Sequence, residues 1–100
     1  MRRIDDARRL YREAWEAAQD SYQAAMAAHY VAHLESDPIE ALKWHGTALE
    51  HASRDSRGEE LMGSLLVSLG GAYEAVGQFE EAVRWYELAA GNGVHHSPES

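Results

Sequence analysis

The sequence predicts an all-α domain of about five helices, and three observations carry that reading. Alanine is the commonest residue, at 17 of 100 positions, and it is the best helix former. The β-branched residues that a sheet favours are scarce, with two Ile and one Thr. Apolar residues recur at helical spacing, and the segments between them carry capping residues or glycine.

The first helix is expected from near Asp5 to about Gln19, with Ile4, Ala7, Leu10, Tyr11, Ala14, Trp15 and Ala18 on helical spacing. Asp20 suits the N-cap of a second helix, with Gln23 three residues on as in a capping box, and this helix runs to about Glu35. Asp37-Pro38-Ile39-Glu40 is the clearest start signal. Asp37 can cap, Pro38 fits the first helical position where its missing N–H is harmless, and Glu40 can complete the box. That third helix runs to about Ser53. Ser56-Arg57-Gly58-Glu59 repeats the capping logic for a fourth helix, whose buried stripe reads Met62, Leu65, Leu66, Leu69, Tyr73 and Val76. Gly77 is placed to stop it in a left-handed turn. Gln78-Phe79-Glu80-Glu81 opens the fifth, which runs to about Ala90, where Gly91-Asn92-Gly93 is expected to end it. Residues 94–100, including His95 and His96, have no periodicity and are expected to form a flexible, inert tail.

Residues 1–93 therefore read as one domain. There is no cysteine, so neither a disulfide nor a thiolate metal site is available. The formal charge of -8 opposes nucleic acid and anionic membranes as partners. No apolar run approaches the roughly 20 residues of a membrane span, and the first residues lack the apolar stretch of a signal peptide. A cytoplasmic location is the expectation. The charge is also uneven. Residues 1–20 carry five Arg and five acids, whereas residues 58–100 carry one base, Arg84, against seven acids.

Three helices superpose by sequence: Ala7-Arg8-Arg9-Leu10-Tyr11 through Ala14, Ala41-Leu42-Lys43-Trp44-His45 through Ala48, and Ala82-Val83-Arg84-Trp85-Tyr86 through Ala89. The offsets are 34 and then 41 residues, and the extra seven are expected to lengthen the third helix or the link after it. The run Leu66-x-x-Leu69-Gly70-x-x-Tyr73-x-x-x-Gly77-x-Phe79-x-x-Ala82-x-x-x-Tyr86-x-x-Ala89 resembles a tetratricopeptide repeat. Leu66 stands where that family carries Trp, and Val94 stands at its late Pro. The resemblance covers residues 63–93, the second helix of a unit at 22–55, and a lone second helix at 4–18. It is similar to small bacterial members of the family of unassigned role.

The resemblance implies antiparallel helix pairs stacked as a short right-handed α-solenoid, acting as a protein–protein interaction module. Its concave groove would be lined by Gln23, Met26, Tyr30 and His33, then by Ser64, Val67, Gly71 and Glu74. No Lys, Arg or Asn stands at those positions, so capture of a peptide carboxylate is disfavoured, and an apolar or basic peptide or helix suits the row better. Tyr11 and Trp15 on the first helix are expected either to form a cap or to face a second copy, giving a homo-oligomer.

Chemistry has few footholds. His29 and His33, four apart, could meet His45 and offer zinc three imidazoles, but paired histidines are common on helices and no flanking signature accompanies them, so packing by His29 and His45 and a groove position for His33 is the better account. Tyr30, His33 and Glu74 could converge as acid–base groups, but a polar-lined peptide groove accounts for them far better. Trp15, Trp44 and Trp85 read as packing between helices. No catalytic residue, cofactor or metal ligand is therefore assigned, and the alternatives to an interaction module are a sensor domain for a small ligand or short peptide and a metal-binding helical protein.

Overall fold

The computed structural model describes residues 2–95, and helices joined by short links are the regular structure within them. α1 spans Arg2–Glu16, α2 Ser21–Leu34, α3 Pro38–Ala52, α4 Glu59–Ala75 and α5 Phe79–His95, with a 3-10 turn at Ser56–Gly58 ahead of α4. The main packing runs between chain neighbours: α1 on α2, α2 on α3, α3 on α4, and α4 on α5. No described helix is long and apolar enough to cross a membrane. The expected tail lies, from residue 96, outside the described residues.

The helix starts follow local chemistry. Asp20 is extended (φ -148°, ψ 171°), and its Oδ1 accepts the Gln23 N–H at 2.8 Å. α1 closes at Glu16 rather than near Gln19, and it begins before Asp5. Gln23 reaches back to the Gln19 N–H at 3.0 Å, one residue before the partner a strict capping box would use. Asp37 Oδ1 accepts the Ile39 N–H at 3.0 Å, with Pro38 at the first helical position. Glu40 does not close that box; it pairs with Lys43 at 3.3 Å, while Glu35 Oε1 takes the Asp37 N–H at 3.3 Å. Ser56 is not the next cap. Asp55 is, because its Oδ1 accepts the Arg57 N–H at 2.9 Å and starts the 3-10 turn that runs straight into α4.

Gly77 ends α4 at φ +82°, with Gln78 N–H on Tyr73 O at 2.9 Å and Gly77 N–H on Glu74 O at 3.0 Å. These two bonds satisfy carbonyls that the helix end would otherwise leave free. Gly91-Asn92-Gly93 does not stop α5, which stays helical to His95. Glycine permits a left-handed turn without imposing one.

The two hairpins repeat in register. Leu34 and Ala75 close α2 and α4, and Pro38 and Phe79 open α3 and α5, each pair 41 residues apart. The seven residues by which this offset exceeds the earlier one of 34 are spread over the end of α3, the link and an added first turn of α4.

The centre of the core is small-residue packing: Ala25, Ala28, Ala48, Ala52 and Leu65, with Trp15, Trp44, Leu49 and Leu61 against it. Alanines at the α2–α3 contact let the two backbones approach closely, and the tryptophans fill the edges. Trp15 meets Trp44 edge to face at 5.3 Å between centroids, and Trp85 stacks on Tyr73 at 6.1 Å, so all three indoles pack inside the chain.

Candidate functional site

The eight positions mapped to a groove lie on the outward faces of α2 and α4. Gln23, Tyr30, His33, Ser64, Val67 and Glu74 are exposed, and Met26 and Gly71 are half-buried. Helical spacing puts each set of four on one face, and the core alanines and leucines hold the opposite face. α2 and α4 are each packed on α3 rather than on one another, so the two rows are held by a shared neighbour.

Several of these side chains have partners that sequence reading had not given them. Tyr30 stacks on Tyr11 of α1 at 5.0 Å between centroids and 19° between planes. Tyr11 and Trp15 are half-buried, the first against Tyr30 and the second against Trp44. Glu74 accepts the Tyr86 O–H at 2.9 Å, and the carboxylate raises the Tyr86 phenol pKa above its ordinary value. Glu74 is bonded to Tyr86, and among the described residues no hydrogen bond links Tyr30, His33 and Glu74 to one another.

His29, His33 and His45 do converge. Ring centroids are 4.5 Å apart for His29 and His33, 5.4 Å for His33 and His45, and 5.8 Å for His29 and His45. The Nε2 atoms of His29 and His33 are 3.3 Å apart, so one ring donates and the other accepts through a neutral nitrogen. Burial pushes His45 down to about 4, helped by His33 and then His29, and burial with the nearby His33 also lowers His29. Nδ1 of His29 and of His45 are buried with no hydrogen-bond partner. The three rings meet edge to face, and among the described residues no three or more His, Asp or Glu side chains are arranged to hold a metal ion.

The 41-residue offset explains this cluster. It carries His29, His33 and His45 onto Gly70, Glu74 and Tyr86. In the first hairpin three imidazoles fill the position between the helices, and in the second a tyrosine lies over a glycine and bonds a glutamate. A Cβ at Gly70 would stand 2.6 Å from the Tyr86 ring, so glycine is required there by close approach. Gly70→Ala is expected to destabilise the wild-type chain, since overpacking costs about 1–3 kcal/mol against about 1 kcal/mol of helix propensity gained. In a Tyr86→Ala background the clash is absent and the same change should stabilise. Thermal unfolding of the four proteins of this cycle decides it, and destabilisation in both backgrounds would show that the ring is not the obstacle.

Three arginines of α1, Arg8, Arg9 and Arg12, are also committed. Arg12 Nη2 lies 3.3 Å from Glu35 Oε2 and Arg8 Nη1 4.0 Å from Glu35 Oε1, with the Glu35 side chain only 8% exposed. Arg9 pairs with Asp6 at 3.4 Å. The depression of about 320 Å³ along α1 is lined by these charges with Asp5, Glu13 and Glu16, and it is an open, ion-paired surface. At the other end Arg57 bridges Asp20 at 3.0 Å and Asp55 at 2.7 Å, and lies over the Tyr22 ring at 4.8 Å.

The composition signals did not reveal the Tyr86–Glu74 bond or the Glu35 anchor. Extending the offset from Ala41 and Ala82 to the polar positions would have found the first. Comparison of the chain with protein-family models, with curated proteins and with solved structures returned no match.

Proposed function

We propose that the chain is a tetratricopeptide-type interaction module, a binding scaffold rather than a catalyst, that takes a peptide or helix of a partner protein along the outward faces of α2 and α4. One observation carries the reading. At positions 41 residues apart, Met26 and Val67 present apolar side chains outward from the same face of successive hairpins, with Tyr30 beside the first. The surrounding positions carry no cation, which favours apolar or basic peptides over free carboxylates.

Peptides selected from a displayed random library against the folded chain provide the test. Their backbone amide shift changes are expected at Gln23, Met26, Tyr30, His33, Ser64 and Val67. A Met26→Ala/Val67→Ala variant should keep its far-UV circular dichroism and lose at least about tenfold in affinity, as removal of two apolar anchors does. Selected peptides that bind the double variant normally would place the binding face elsewhere.

A further inference from the structure

The last helix carries a second apolar surface that the α2–α4 face does not include. Phe79 is 64% exposed, Val83 53% and Tyr86 38%. They stand at i, i+4 and i+7 on α5, one stripe along one side of the helix. Ala82 is buried and Trp85 and Ala89 are half-buried, so the core-facing side of α5 is a different one. Tyr86 is fixed at the α4 boundary by its bond to Glu74 and its contact with Gly70. Scattered exposed apolar residues are ordinary, but a continuous apolar stripe marks a surface that something covers.

The charge around the stripe selects what covers it. Glu80 and Glu87 stand three before and four after Val83, so both flank the stripe. Neither has an ion-pair partner among the described residues, while Arg84 is held by Glu81 at 3.1 Å. Residues 58–100 carry one base against seven acids. A second copy using the same face would oppose glutamate to glutamate. In a second copy, Arg8 and Arg12 of α1 are engaged with Glu35 and Arg9 with Asp6, so these three are not free to meet the two glutamates. An extended peptide does not match a row that follows one helix for two turns, whereas a helix laid alongside does.

We infer that the Phe79–Val83–Tyr86 stripe of α5, flanked by Glu80 and Glu87, is a docking surface for a cationic amphipathic helix of another protein. The partner lays an i, i+4, i+7 apolar row on the stripe and sets lysines or arginines against the two glutamates. This surface is independent of Met26 and Val67, so the α2–α4 reading and this one stand or fall separately.

Two designed helical peptides with identical leucine stripes test it, one with lysine and one with glutamate at the flanking positions. The lysine peptide is expected to bind and to shift amides between residues 79 and 87, with affinity falling as salt rises. The glutamate peptide should bind at least about tenfold more weakly. Phe79→Ser/Val83→Ser, both exposed, should abolish binding with the helical spectrum unchanged, and Glu80→Lys/Glu87→Lys should invert the preference between the two peptides. Equal binding of both peptides, no binding of the lysine peptide, or shifts confined to α2 would overturn the assignment. A dimer seen by light scattering that dissociates on Phe79→Ser would overturn it in favour of a second copy.

Discussion

Leu65→Ala is expected to lower the unfolding free energy by about 3 kcal/mol or more, within the range of about 2–5 kcal/mol for buried leucines. Leu65 is fully buried, and among the described residues it and Val31 are the large side chains with less than 2% exposure. Its neighbours in the central cluster are Ala25, Ala28, Ala48 and Ala52. These alanines have no rotamer with which to fill a hole, so any side-chain collapse falls to Trp15, Trp44, Leu49 and Leu61 at the edge of the cluster. For a domain of this size the loss is a large share of a total of roughly 5–15 kcal/mol. Val67→Ala, on the opposite face at 51% exposure, is the control and should change stability by less than about 0.5 kcal/mol. Urea unfolding at neutral pH compares the two, and equal midpoints would contradict the enclosure of Leu65.

Acidification is the second large effect. His45 is 6% exposed, and its folded-state value of about 4 lies below the ordinary 6.5. His29 is shifted the same way. The unfolded chain therefore binds protons first as pH falls. Stability is fully present above about 6.5, declines through the interval, and levels off near 4. At about 1.36 kcal/mol per pH unit, the His45 shift alone is worth about 3 kcal/mol at the low end. No carboxylate contributes to the shift of either ring; each is perturbed by burial and by other histidines. Asp20 and Asp55, held below their ordinary 3.8 mainly by hydrogen bonds from Gln23 and Arg57, add their loss only at lower pH. Urea midpoints measured from pH 7.5 to 4.5 should fall steadily for the wild type and much less for His45→Gln. A wild-type midpoint that stays level to pH 4.5 would mean that the imidazole at 45 is not buried neutral.

Most of the fold was legible because helix starts and stops are local chemistry. Asp20, Asp37 and Gly77 act within three residues of themselves, and each does what its type and position imply. The failures also have local causes. Ser56 lost the cap to Asp55 because a carboxylate one residue earlier competes for the same amides. Gly91 and Gly93 were poor stop signals because nothing in a glycine forces the chain out of the helix. The candidate site was legible only as faces. The spacing of His29 and His33 implied their contact, and the repeat placed His45 with them. The turning of Tyr11 and Trp15 inward was hidden, since an exposed aromatic stripe and a stripe awaiting its own neighbour have the same sequence.

The packing of each helix mainly on its chain neighbours bears on motion as well as form. Interactions of that kind close over short stretches of chain, so their loop entropy is small and folding should be fast. They also mean that an end helix can detach by giving up a single interface while the rest stays folded. Amide hydrogen exchange should then be graded, slowest where α2, α3 and α4 share the alanine and Leu65 core and fastest in α1 and α5. The acid-flanked stripe of α5 would ride on the most easily opened segment, and a partner that grips it would slow exchange there most of all.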